Sequence, residues 1–327
     1  MNENCSGLAR LTPKDVHNKL AAILNNILGK KGLGEISLLE PYKSIEDDTT
    51  KFLVTNGARQ PALVVIFSSS VAPESVTRNI ESAALAASML EGNLAHPILQ
   101  PLSQGRLAGL SYAVWEYCTP LSRHPIISRI QEMMIRNAVF NWLRRVTIAT
   151  VQPVCTAELE SSVLVPLQSL VSNPKLSAAM HEAAKRSIHR AICGEWEPVH
   201  ILMHNDFWRG NLLVRSWRLG QPLSWSDRFV VIDWAGCLHK GYGIYDLLRM
   251  AGSLRLNNSV LKEELYAHCH ALGCDPVDAV SHLLTALGWL GLHLEHFPRD
   301  RYLRLALNCF EQLESLGNSS KAKSEGP

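Results

Sequence analysis

The chain has no Cys-x-x-Cys pair, no internal repeat and no basic stripe, and its longest apolar stretch falls short of a membrane span. Each absence removes a class of protein. The eight cysteines are scattered at 5, 118, 155, 193, 237, 269, 274 and 309. They read as free thiols in a reducing compartment, so a cytoplasmic protein is expected. The densest Cys/His group is His268, Cys269, His270 and Cys274. It lacks a second ligand pair at zinc-finger spacing and reads as part of a helix. Leu283 to Leu294 is apolar, but His293 interrupts it and it is shorter than the ~18 to 20 residues that cross a bilayer. Met1 to Arg10 contains Glu3 and no apolar run, unlike a secretory leader. Lys plus Arg (32) nearly balances Asp plus Glu (30), which argues against a dedicated nucleic-acid binder. Neither a membrane nor a nucleic acid is therefore an expected partner.

What is present is enough apolar material, 46% of 327 residues, for two cores. Residues 13 to 28 carry Val16, Leu20, Ile23, Leu24, Ile27 and Leu28 at helical spacing. Strand-like runs come next at Ile36–Pro41, Lys51–Thr55 and Ala62–Ser68, with Asn56-Gly57 as a hairpin signal between the second and third. Residues 74 to 91 predict a helix with Ile80, Ala83, Ala84, Ala87 and Leu90 on one face. Leu110–Tyr117 is a further strand. Beyond it the character changes. Helices are expected over 126–150 and 162–194, short strands at Leu212–Arg215 and Phe229–Asp233, and three or four helices from Tyr242 to Leu316. The polar tail from about 317 is expected to be disordered. The order predicts an α+β protein of two lobes: a small, mostly β lobe over 1–117 with a leading helix, and a larger helical lobe over 118–327.

Chemistry concentrates in Leu202-Met203-His204-Asn205-Asp206-Phe207-Trp208-Arg209-Gly210-Asn211-Leu212 and in Phe229-Val230-Val231-Ile232-Asp233-Trp234. A loop and two strand ends can bring Asp206, Asn211 and Asp233 together as three oxygen donors. Phosphoryl transfer asks for that set: hard oxygens for magnesium, and a carboxylate to orient the attacking hydroxyl. Singly, each of these residues could be a turn cap or a strand-terminal carboxylate.

The pattern His-x-Asp-x-x-x-x-Asn followed by Ile-Asp-Trp resembles the aminoglycoside phosphotransferase and choline kinase family, relatives of the protein kinases. The resemblance implies a two-lobed protein-kinase-like fold and an ATP-dependent kinase acting on a hydroxyl of a small molecule, such as a sugar, amino alcohol or aminoglycoside. It implies Asp206 as catalytic base, Asn211 and Asp233 as magnesium ligands, and ATP and Mg as cofactors. Gly241-Tyr242-Gly243-Ile244-Tyr245-Asp246-Leu247 resembles the family's Gly-x-x-x-x-Asp-Leu segment, which makes Asp246 a support of the catalytic loop. His204 is expected to brace the same loop. Trp115-Glu116-Tyr117-Cys118 falls at the lobe junction, so Glu116, Tyr117 and Cys118 are expected to meet the adenine through their backbone.

The first lobe departs from the family. Its strand lysine should lie in Ala62–Phe67, where there is no basic residue. Lys51, one strand earlier, is the candidate substitute, with Glu81 as its acidic partner; alternatively Lys51 is a solvated strand residue. Gly29 to Gly34 precedes the first strand and reads as a linker, and Ser44 to Thr49, between the first two strands, has two aspartates and no glycine. Arg209 could supply positive charge beside the phosphoryl group, or simply pair with a nearby carboxylate. Two functions fit these residues: an active small-molecule kinase, and a nucleotide-binding pseudokinase that regulates a partner. A protein kinase is disfavoured, because no Asp-Phe-Gly or Ala-Pro-Glu segment follows Asp233.

Overall fold

The structure, a computed structural model, describes residues 11–40, 49–215, 228–295 and 297–324, with side chains placed as far as Leu316. Ser44 to Asp48 and Met1 to Arg10 lie outside the described residues. Helix α1 (Pro13–Leu28) opens on a capping box: Thr12 Oγ1 accepts from the Asp15 amide, and Asp15 Oδ2 accepts from the Thr12 amide. Its apolar residues recur every fourth position, so Val16, Leu20, Leu24 and Leu28 form one buried stripe.

That stripe packs on an antiparallel sheet of β1 (Leu33–Leu38), β2 (Thr50–Asn56), β3 (Pro61–Phe67), β4 (Ser103–Leu107) and β5 (Leu110–Glu116), in the order β1-β2-β3-β5-β4. Alternation sets the two faces. Phe52, Val54, Leu63, Val65, Phe67 and Val114 are buried under α1, while Lys51, Leu53, Val64 and Ile66 lie on the other face, half-buried. The β2–β3 turn follows the Asn56-Gly57 signal: Asn56 Oδ1 accepts from the amides of Ala58 and Gln60, and Arg59 takes a left-handed φ of 59°. Strand β1 starts three residues earlier than the sequence predicts, because Leu33 pairs with Asn56 across a bulge.

Helix α2 (Ser75–Ser88) crosses between β3 and β4 but joins a different core. Its Ala83 and Ala86 pack with the larger cluster, not with the one under α1. Leu90, Leu94 and Ile98, which follow α2, pack in the same larger cluster.

After β5 the chain runs through β6 (Cys118–Pro120) into α3 (Pro125–Thr150), then β7 (Gln152–Pro153) and α4 (Thr156–Leu159). A π turn at Glu160–Leu164 leads to α5 (Val165–Val171) and α6 (Ala178–Ile192). The helical stretch expected over 162–194 is interrupted at Ser172–Ser177, where Asn173-Pro174 intervenes and Ser177 Oγ caps α6. Next come β8 (Val199–Met203), β9 (Leu212–Arg215), β10 (Phe229–Val231) and β11 (Leu238–Gly241), followed by α7 (Tyr245–Ser253), α8 (Asn258–Leu272), α9 (Asp278–Leu292) and α10 (Arg299–Ser324). Helix α10 continues past residue 317, where the sequence predicts loss of structure; 325–327 lie outside the described residues.

Among the described residues no helix is long and apolar enough to cross a membrane. The His268–Cys274 group gathers no metal-binding set. Cys269 lies in the last turn of α8, within the larger core, and Gly273 closes the helix in the left-handed conformation.

Candidate active site

Strand β8 delivers the chain into a loop, 204–211, held from beneath by α7. Asp246, buried in the first turn of α7, accepts the His204 amide on Oδ2 (2.6 Å) and the Asn205 amide on Oδ1 (3.2 Å). Burial pushes its carboxyl up to about 7, against those two donors, which pull it down. His204 is fully enclosed. Its Nε2–H donates to the Ile232 carbonyl (3.0 Å), its Nδ1 accepts from the Asp206 amide (3.3 Å), and its ring lies against Trp234 and Phe207. Burial lowers it to about 4, so it is a neutral brace at pH 7.

Backbone strain gathers here. Asn205, Asp233 and Ile244 all have left-handed φ, of 72°, 66° and 71°. For a β-branched residue such as Ile244 this conformation is an outlier. The left-handed Asp233 also explains why β10 ends at Val231, two residues before the expected end.

Asp206 sits at the centre of a ring of donors. Asn211 Nδ2 donates to its Oδ2 (3.1 Å) and to its carbonyl (2.9 Å), Trp208 Nε1 donates to Oδ2 (3.2 Å), and Arg249 Nη2 donates to Oδ1 (3.0 Å). Asn211 uses its amide nitrogen on Asp206, which leaves Oδ1 as the oxygen it can offer elsewhere. Asp233 keeps exposed surface. Its carboxyl is nonetheless raised above the ordinary range, first by the protein around it and then by the Asp206 charge, while Lys51 pulls it back. Two carboxylates in mutual repulsion beside an amide oxygen are a donor set that suits a hard divalent cation.

Lys51 lies on the half-buried face of the sheet, opposite Ile66. Its Nζ is 3.8 Å from Glu40 Oε2, and its charge pulls the Asp233 carboxyl down. Glu81 does not join it. Glu81 is exposed, on the side of α2 opposite Asn79, Ala83 and Ala86, and among the described residues it forms no ion pair with Lys51. The α2 residue that reaches the site is Asn79, whose Oδ1 accepts the Trp234 amide (2.9 Å) directly after Asp233.

Arg209 is also directed elsewhere. Its Nε lies 2.8 Å from Glu132 Oε1, and its Nη2 donates to the Ser122 carbonyl (2.7 Å) and to Ser128 Oγ (2.8 Å). It ties the loop to α3 instead of pointing at a phosphoryl group. At the junction, the Glu116 carboxylate takes Arg215 Nε (2.8 Å), the Tyr117 amide donates to the Ala62 carbonyl (2.9 Å), and buried Cys118 pairs with Arg215 in the β6–β9 ladder. The Tyr117 amide is therefore already used within the protein.

Arg249 and Asn79 carry no motif that singles them out in the sequence. Arg249 lies three residues after Asp246, one helical turn along the same face, and that spacing is the signal that would have found it.

No family model and no curated protein matches the chain. Among solved structures, the GDP complex of wild-type aminoglycoside 2'-phosphotransferase-IIIa aligns over 90% of this chain and 97% of its own, at 12% identity and a TM-score of 0.50. The fold is protein-kinase-like. A choline/ethanolamine kinase family protein from Mesorhizobium loti aligns over 92% of this chain and 94% of its own, at 15% identity and a TM-score of 0.45. In the kinase-like frame, the sheet with Lys51 is the upper lobe and the 204–211 loop heads the lower one.

Proposed function

We propose that the protein is an ATP-dependent phosphotransferase that acts on a hydroxyl group of a small molecule. The observation that carries this reading is the convergence of Asp206, Asn211 and Asp233, with Lys51 facing Asp233 from the opposite lobe. Asp233 and the Oδ1 of Asn211 would hold magnesium, which when bound neutralises phosphate charge. Lys51 would be the cation that meets the α- or β-phosphate.

In the reaction, Asp206 accepts a hydrogen bond from the acceptor hydroxyl and turns its oxygen toward the γ-phosphorus. The new O–P bond forms as the bond to the β–γ bridging oxygen breaks and ADP leaves. The hydroxyl proton passes to Asp206 and then to solvent. Three donors already hold the Asp206 carboxylate in place, so its main contribution is orientation, as suits a loose transition state. His204 and Asp246 keep the loop in register and stay out of the chemistry.

The test is ATP consumption by the full chain against a panel of sugars, amino alcohols and aminoglycosides, with Asp206→Asn as control. Turnover that depends on an acceptor and on Asp206 supports the reading. Failure to bind magnesium–ATP rules it out, and a regulator of kinase-like fold takes its place.

A further inference from the structure

The kinase-like site needs positive charge where the phosphoryl group is handed over. The residue expected there, Arg209, is engaged by Glu132, Ser122 and Ser128. Lys51 stands on the nucleotide side, beside Asp233. Among the described residues, the guanidinium that meets Asp206 is that of Arg249. Its Nη2 is 3.0 Å from Asp206 Oδ1, and its side chain keeps about a quarter of its surface open. Its Nε is buried, so it is the outer nitrogens of the guanidinium that present donors to the site.

Its placement is rigid. Asp246 and Arg249 share one face of α7, and Asp246 fastens that helix to the loop through two backbone amides. The attacking hydroxyl must lie within about 2.7 Å of the Asp206 carboxylate. A guanidinium 3.0 Å from that carboxylate is then only about 6 Å from the attacking oxygen, close enough for its planar fork to reach the equatorial phosphoryl oxygens.

We propose that Arg249 contacts the transferring phosphoryl group and supplies the acceptor-side positive charge of this centre. The inference rests on the phosphotransferase reading. Before the reaction Arg249 is paired with Asp206. As the hydroxyl takes up Asp206 and charge spreads over the phosphoryl oxygens, the guanidinium shares its donors with them. No bond is made or broken at Arg249.

Calorimetric titration of the full chain tests this, with magnesium–ADP alone and with magnesium–ADP plus aluminium fluoride, a mimic of the transferring group. The proteins compared are the wild type, Arg249→Met, Arg249→Lys, Asp206→Asn and the Asp206→Asn/Arg249→Met double variant. We expect Arg249→Met to bind ADP within about twofold of wild type and to lose roughly tenfold or more of the extra affinity for the fluoride complex, with Arg249→Lys intermediate. The loss must persist in the Asp206→Asn background. If the double variant binds the fluoride complex as well as Asp206→Asn alone, Arg249 acts only by holding Asp206, and the inference is overturned. If Arg249→Met does not fold, Arg249→Lys against wild type decides, and equal preference for the fluoride complex overturns the inference. If wild type binds no magnesium–ADP, the phosphotransferase reading fails and this inference falls with it.

Discussion

Lys51 on β2 stands directly across the ladder from Ile66 on β3, on the face of the sheet turned toward Asp233. Side chains so paired start only about 5 Å apart. A lysine moved between these positions could reach the same phosphate with a modest change of rotamer. Lys51→Ala should weaken magnesium–ATP binding by roughly 10- to 100-fold, the value of a charge-assisted contact. The double variant Lys51→Ala/Ile66→Lys should recover much of that loss. Calorimetric titration reads both; unchanged binding in Lys51→Ala would mean that the lysine serves only Glu40.

Asp206→Asn keeps the size of the side chain and an acceptor for Arg249 while removing the proton acceptor. Turnover should fall by about 10² to 10⁴, with ATP affinity held within a few-fold. Loss of nucleotide binding would instead place metal on Asp206.

Asp246→Ala removes the acceptor of two loop amides at once. Each buried amide left unpaired costs roughly 1 to 3 kcal/mol, so unfolding stability should drop by about 3 kcal/mol or more in a urea titration. Asp246→Asn, which keeps one acceptor oxygen, should lose less. Equal losses for the two would show that the pair of hydrogen bonds is not what matters.

His268, far from the site on α8, gives a clean pH signature. Burial lowers it from 6.5 to about 4, so between those values the unfolded chain takes up a proton that the folded chain refuses. Its contribution is complete above the upper value and is lost as pH falls toward the lower one. His268→Leu has no such loss. Between pH 7 and pH 4, the difference in unfolding free energy between wild type and variant should move in the variant's favour by roughly 3 kcal/mol. Urea midpoints at three pH values would measure it, and a constant difference would place the histidine in contact with solvent.

The residues legible in the sequence are those whose positions follow from short stretches of chain. Asp206 and Asn211 share one loop and Asp233 lies just past β10, which pairs with the strand leaving that loop, so spacing alone brings them near each other. Arg249 contacts Asp206 from 43 positions away, and Asn79 contacts Trp234 from 155 away. Those meetings depend on how α7 and α2 dock, which no local pattern encodes. Glu81 is misplaced by the sequence for a related reason. In an alanine-rich helix small residues occur on every side, so the apolar face has no sharp phase; the buried side is Val76, Ala83 and Ala86, rotated by about one residue from the predicted one. Strands as brief as β6, β7, β8 and β11 carry too few residues to show alternation.

Helix α1 closes the outer face of the upper sheet with a core of its own, while α2, which holds the Trp234 amide, is rooted in the other core. Lys51 and the 204–211 loop thus rest on separate hydrophobic cores. On heating, the sheet with α1 can melt while the 204–211 loop keeps its clamps, so calorimetry should resolve two transitions, and magnesium–ATP should merge them by bridging Lys51 to Asp233. A phosphotransferase assembled in this way would lose its hold on nucleotide at a temperature where the 204–211 loop is still folded.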